Sequence, residues 1–197
     1  LTNGTKEGNV AFGTLTTISE SKFQFGLLYV GSDDGKIHVS KDGGASWQLI
    51  SGNLPQNLWV SRVVASSHKK ERVYVTLNGY RNDIFESYAF VSEDFGTTWT
   101  SISNGLKQAV NVIVEDSANE NILYVGTDNG LFISLDKGIT WEDFSNGMPK
   151  VAVHDAVIQT KAKELIVGTH GRSLYKMDIS RVQEVTKDVL TKNLHLF

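Results

Sequence analysis

Two stretches of this chain carry side chains able to bind or to react. The first is Asn78-Gly-Tyr-Arg-Asn-Asp-Ile-Phe-Glu86. There Tyr80 can stack on the face of a sugar ring, while Arg81 and Asp83 can hydrogen-bond hydroxyls or a carboxylate. The second is His170-Gly-Arg172, whose imidazole can serve as general acid or base and whose guanidinium can clamp an anion. Asp128 and the pairs Asp33-Asp34 and His154-Asp155 add carboxylates and a further imidazole. Each has a plainer alternative. The first stretch also reads as a solvated loop that tolerated an insertion. Arg172 can pair with a nearby carboxylate while His170 completes a turn. Polar side chains such as His154, Arg62 and Asn111 can line a channel and merely hold water.

Other chemistries leave no trace. No Gly-rich loop opens a helix to cradle phosphate, no His pair has metal-ligand spacing, and no Gly-x-Ser-x-Gly elbow presents a nucleophile. Neither a cofactor nor a metal is expected. The 197 residues carry a net charge of −3, which gives no basic footprint for nucleic acid. No apolar run approaches the ~20 residues of a membrane-spanning helix, and no basic amphipathic stretch suggests a membrane surface. There is no cysteine, so disulfides and thiolate metal sites cannot form. Residues 2–9 are polar, and the stretch has no initiator Met and no apolar leader core; Asn3-Gly-Thr5 matches a glycosylation sequon as a chance triplet would.

What must position the reactive stretches is a repeat. The pattern Ser-x-Asp-x-Gly-x-x-Trp occurs as Ser40, Asp42, Gly44, Trp47, then Ser92, Asp94, Gly96, Trp99, then Ser134, Asp136, Gly138, Trp141. The starts are 52 and 42 residues apart. In each box Ser and Asp can bond turn backbone, and Gly can take a positive φ that a β-carbon would penalise. The Trp can bury a large ring while offering one N–H. The boxes are read as structural, because they lack the dense carboxylates of a Ca2+ loop. A period in this range, with one turn and one large aromatic per unit, marks a β-propeller blade.

Short runs rich in Val, Ile, Tyr, Phe and Thr follow that period in four registers. Runs 14–18, 28–31, 36–40 and 47–50 recur as 60–64, 73–76, 88–92 and 99–102, then as 110–114, 123–126, 131–134 and 141–144. The fourth unit has 153–157, 165–168 and 174–177, and then loses the box. Read as four strands per unit, four times, the chain is one all-β propeller domain or segment of antiparallel blades. Those blades span about 10–52, 59–103, 109–146 and 151–180, and the tail 181–197 is a candidate closing strand. A blade cannot bury both faces alone, so several must stack, and inner runs such as Ile122-Leu-Tyr-Val125 are apolar throughout. Box turns then lie on one face. The hairpins carrying Asp33, 78–86, Asp128 and 170–172 lie on the other, around the channel mouth, with connections 53–59, 104–109 and 146–150.

The boxes, with Leu28-Tyr-Val-Gly-Ser-Asp-Asp-Gly35, Leu123-Tyr-Val-Gly-Thr-Asp-Asn-Gly130 and Val167-Gly-Thr-His-Gly-Arg-Ser-Leu-Tyr175, resemble the Asp-box (BNR-repeat) β-propellers over about residues 10–180. That repeat is shared by sialidases, xyloglucan-active glycoside hydrolases, sortilin-type receptors and a photosystem assembly factor. More closely, the chain resembles the last part of large secreted bacterial BNR-repeat or sortilin-like proteins. The resemblance implies a bacterial protein that is secreted, periplasmic or at the cell surface. Such rings have six to eight blades, whereas four are counted here. A partial propeller is therefore expected, completed by a longer chain or by a second copy. A sialidase would add an Arg cluster and an Arg-Ile-Pro element, and neither occurs. The missing cysteines separate the chain from eukaryotic sortilins.

Two functions are expected from this. The first is a non-catalytic exported propeller presenting its loop face to a protein or a polysaccharide. The alternative is a glycoside hydrolase, which needs two carboxylates about 5–5.5 Å apart for retention or about 6.5–9.5 Å for inversion. Asp33, Asp34, Asp83, Glu86 and Asp128 lie on the face such an enzyme would use.

Overall fold

Repetition of the apolar runs produces repetition of sheets. The computed structural model describes residues 13–186, 189 and 191. The Asn3 sequon and most of the candidate closing strand lie outside them. Strands β1 (Leu15–Glu20), β2 (Leu28–Ser32), β3 (Ile37–Ser40) and β4 (Gln48–Leu49) pair antiparallel in chain order. The second sheet repeats this with β5 (Trp59–Ala65), β6 (Val73–Gly79), β7 (Ile84–Ser92) and β8 (Thr100–Ser101). The third has β9 (Val110–Glu115), β10 (Leu123–Thr127), β11 (Gly130–Ser134) and β12 (Glu142–Asp143).

The fourth sheet differs from expectation. It holds three strands, β13 (Val153–Gln159), β14 (Glu164–Thr169) and β15 (Leu174–Asp178). No box turns the chain back after β15. Instead the Ile179 N–H donates to Lys163 O at 2.9 Å and the chain enters helix α1 (Ser180–Gln183). The tail, read as a closing strand, thus begins as a helix. Four sheets stacked through their first strands make a partial β-propeller.

Every first strand carries one bulge, at Thr16, Ser61, Asn111 and His154. A bulge inserts an extra residue and re-aims its side chain. Just before each bulge stands Leu15, Val60, Val110 or Val153, and the three valines are wholly buried. Val60 and Val153 seat on Gly31 and Gly126 of the preceding sheet, so closely that a β-carbon on either glycine would overlap the valine. At the middle seam Thr76 replaces the glycine and shares a 2.7 Å hydrogen bond with Ser61. Hydroxyls cross the same seams: Thr16 Oγ1 donates to Val60 O at 2.7 Å, and Ser61 Oγ to Val110 O at 3.1 Å.

In each box the Ser hydroxyl donates to the Asp at 2.7 Å and accepts the Gly N–H at 2.7–2.8 Å. The Trp reaches further. Trp99 Nε1 donates to Ile50 O at 2.8 Å, and Trp141 Nε1 to Ile102 O at 2.6 Å. Both acceptors belong to the preceding blade, and Gly96 and Gly138 pack on the same two isoleucines. The box therefore staples a blade to its predecessor. Trp47 has no such acceptor among the described residues.

Trp99→Phe keeps an aromatic ring but deletes that bond and part of the packed indole, so it should cost at least about 1 kcal/mol in denaturant unfolding. Trp47→Phe should cost under about 0.5 kcal/mol, as surface changes do; equal losses would contradict the staple. The box carboxylates predict an acid limit. Asp42 is held down at about 2 by the Ser46 hydroxyl and amide and the Ser40 hydroxyl. Asp94 is lowered by the Thr98 amide and by the Ser92 and Thr98 hydroxyls. Burial pushes Asp136 up, but Thr140 and Ser134 bring it below the usual range. Groups more acidic in the folded chain than the ~3.9 of unfolded Asp add stability above that value. They lose it as the pH falls toward about 2. Denaturant midpoints should drop across that window, and replacing all three by Asn should flatten the drop. An unchanged slope would place the acid limit elsewhere.

Candidate functional site

The bulges and the hairpins converge at one end of the channel. Asp33, Asn78, Asp128 and His170 occupy equivalent places at the ends of the second strands. The Asp33, Asp128 and His170 N–H groups donate to Thr14, Ala109 and Ala152 O, and Asn78 pairs with Trp59. Beside them stand the bulge residues. Trp59, Ser61, Asn78, Tyr80, Asn111, Asp128 and His154 line a cavity of about 430 Å3 at this mouth.

Part of its wall is a ladder of polar side chains. Asn78 Nδ2 donates to Asn111 Oδ1 at 2.7 Å, and Asn111 Nδ2 donates to Asp128 Oδ1 at 2.8 Å. Another part is aromatic, with the Trp59 and Tyr80 rings 6.0 Å apart and tilted by 40°. Arg81 lies over Trp59, 4.1 Å from the ring centroid, and its guanidinium reaches Tyr80 Oη at 3.3 Å and Asp33 Oδ2 at 3.4 Å. The His154 and His170 rings pair at 5.3 Å. Deeper in the channel Arg62 reaches from the second blade to Asp155 of the fourth, at 2.6 Å.

The 78–86 segment is tighter than the nine-residue loop its sequence suggests. β6 and β7 extend until Gly79 pairs with Ile84, leaving only 80–83 to turn. Gly79 suits that approach, because a β-carbon there would lie 2.7 Å from Ile84 Cβ. A 3-10 turn at Tyr80–Asn82 ends on Asp83, which has φ of 56°. Asn78 Oδ1 accepts the Tyr80 N–H at 2.9 Å, and Asn82 Nδ2 donates to Asn57 O at 2.9 Å. Tyr80 and Arg81 are thus displayed on a short, tethered turn.

The structure places the sequence candidates unevenly. Tyr80 and Asp128 line the cavity, Arg81 caps Trp59, and His170 joins through His154. Asp83 is the left-handed residue of the turn and does not line the cavity. Arg172 is exposed, outside the cavity and without an ion pair among the described residues. Among the other loop-face carboxylates, Asp33 accepts the Gly13 and Thr14 N–H groups at 2.6 and 2.9 Å, and Asp34 is tied to Ser32 at 2.5 Å and Lys36 at 2.8 Å. Trp59 and Ser61 were not singled out by sequence reasoning. Trp59 is visible as the one aromatic directly before an inner run. Ser61 is not, since strand alternation carries no mark of a bulge. Among the described residues no group of three or more His, Cys, Asp or Glu could hold a metal, and no helix is long and apolar enough to cross a membrane.

No family model matches the chain, and no curated protein matches it in sequence. Solved structures do resemble it. The GH74 enzyme of Niastella koreensis superposes with a TM-score of 0.70 at 16% identity, over 85% of this chain and 29% of that one. The Cps50 (Swd1) β-propeller domain of Myceliophteria thermophila gives 0.66 at 13% identity, over 91% and 56%. YCF48 bound to D1 peptide gives 0.63 at 13% identity, over 86% and 53%. The chain spans less than a third of the GH74 enzyme and a little over half of the other two. At such identities the likeness establishes the fold alone, and that fold is a partial β-propeller.

Proposed function

We propose that this chain is part of an Asp-box β-propeller that binds polysaccharide at its channel mouth without cleaving it. The lining of the mouth cavity carries the reading: the Trp59–Tyr80 pair shares one pocket with the Asn78–Asn111–Asp128 ladder. A pyranose offers an apolar C–H face and a rim of hydroxyls. Aromatic rings suit the first, and amides and imidazoles, which both donate and accept, suit the second. Hydrolysis requires two carboxylates about one bond, whereas among the described residues Asp128 is the single carboxylate in the lining, and it is already bonded to Asn111. The thrice-repeated Ser–Asp–Gly bond set supports the Asp-box reading. With it we propose a location outside the cytoplasm, secreted, periplasmic or at the cell surface, on the resemblance of the boxes to exported bacterial proteins.

A similar fold occurs in a GH74 xyloglucanase of Xanthomonas campestris, which recommends xyloglucan oligosaccharides as the first probe, with cello-oligosaccharides beside them. Native mass spectrometry should show intact sugar on the chain. Tyr80→Ala should weaken binding about tenfold, the ~1.4 kcal/mol scale of one lost aromatic contact. Shortened sugars would make the site hydrolytic, and an unchanged affinity in Tyr80→Ala would move it elsewhere. A chain that ignores every sugar yet retains a peptide would turn the reading toward protein ligands.

A further inference from the structure

The hydrogen bonds of the mouth wall all run one way. The Tyr80 N–H donates to Asn78 Oδ1 at 2.9 Å, Asn78 Nδ2 to Asn111 Oδ1 at 2.7 Å, and Asn111 Nδ2 to Asp128 Oδ1 at 2.8 Å. An amide side chain turned end for end keeps its shape, so its neighbours set its direction. Here both ends of the row are fixed, because a backbone N–H only donates and a carboxylate only accepts. The two amides between them, 7% and 6% exposed, are left one orientation each. Each amide nitrogen carries a second hydrogen, and Asp128 keeps a second oxygen. None of these three has a further hydrogen bond among the described residues. The wall thus offers a bound molecule two donors and one charged acceptor. Asp128 differs here from its counterpart in the first blade. Asp33 is buried, accepts the Gly13 and Thr14 N–H groups and faces Arg81 at 3.4 Å. Asp128 is exposed and accepts one amide N–H, and among the described residues it has no ion pair and no Lys or Arg beside it in the cavity lining.

We propose that Asp128 is a specificity-determining residue of the mouth. By anchoring the amide row and leaving its own charge without a cation, it admits uncharged sugars and turns away carboxylated ones. The inference rests on the polysaccharide reading of the same cavity. A hydroxyl both donates and accepts. Neighbouring hydroxyls of an uncharged sugar can therefore donate to Asp128 and accept the two spare amide N–H groups. A carboxylate on the sugar only accepts. It suits the amides but meets Asp128 as a like charge, and the lining holds no Lys or Arg to offset the pair. Both sides of the row belong to the second and third blades, whose seam is packed along its length. The selectivity is thus carried by strand residues of the wall, while Tyr80, tied to the far end of the row through Asn78, supplies the aromatic face.

The test is titration calorimetry of the full chain with cello-oligosaccharides and with the same glucan chains carrying a carboxylate on each sugar. The uncharged series should bind about tenfold more tightly, and Asp128→Asn should bring the two within about threefold. A second measurement reads the row itself. Asn78→Asp puts an acceptor at both ends of Asn111, so the melting temperature should fall by about 2–4 °C or more. Adding Asp128→Asn should recover most of that fall. The row can then run from position 128 toward position 78, where one carboxylate accepts both Asn111 and the Tyr80 N–H. Such a recovery is a coupling that independent sites do not show. Equal affinity for the two series, or a preference that survives Asp128→Asn, overturns the selectivity and leaves the polysaccharide reading in place. A chain that binds neither series overturns both. A double variant that melts no higher than Asn78→Asp alone overturns the fixed direction of the row.

Discussion

The seat of an aliphatic side chain on a bare backbone, across the gap between two blades, is the constraint on which the rest of this molecule depends. Val60 over Gly31 and Val153 over Gly126 set how near two first strands can come. At the first seam that distance brings Thr16 within hydrogen-bonding reach of the Val60 carbonyl, and at the middle seam, where Thr76 stands in place of the glycine, Ser61 reaches the Val110 carbonyl. The same distance also sets how far the outer edges splay, and the box Trp bridges that outer gap. Inner packing is dispersive and tolerates no added methyl group without strain. The outer bond is polar and directional. At the seam between the first and second blades both are present and hold the pair at two radii, which fixes their relative tilt.

Between the second and third blades a buried carboxylate adds a third tie. Glu115 accepts from Tyr74 Oη at 3.0 Å, from Ser66 Oγ at 2.8 and 2.9 Å, and from the Ser67 N–H at 2.6 Å, with Arg72 at 3.4 Å. Burial and the Glu115 charge push the Tyr74 phenol far above its ordinary value, so it remains a donor. Arg72 also reaches Glu93 and Glu120, linking three carboxylates through one guanidinium. A buried charge with this many partners is costly to disturb, because removing one partner strands the others. The first and fourth blades have no equivalent among the described residues. The rigid centre of the row is also where the aromatic and amide parts of the mouth cavity are carried.

Rigid seams and a polar mouth are products of the same bulge. The residue before it packs, and the bulged residue is left over for the channel. Ser61, Asn111 and His154 therefore reach the cavity from strands whose preceding valines are buried in the seams. Much of the mouth cavity is thereby built on strands, and Tyr80 is held on a turn only four residues long.

Much of this architecture was legible in the chain itself. Box spacing and apolar runs specify antiparallel sheets in chain order, because both depend on neighbours a few residues away. The loss of the box after 177 was legible too, although its consequence, a three-stranded sheet running into a helix, was not. The acceptors of Trp99 and Trp141 lie 49 and 39 residues away in sequence, across a seam, and no local pattern encodes them. The same holds for the Arg81 stack on Trp59 and the amide ladder from Asn78 through Asn111 to Asp128. Local hydrogen bonding and hydrophobic periodicity determine which strands form. Only the packing of one blade upon the next decides which of their polar residues face one another.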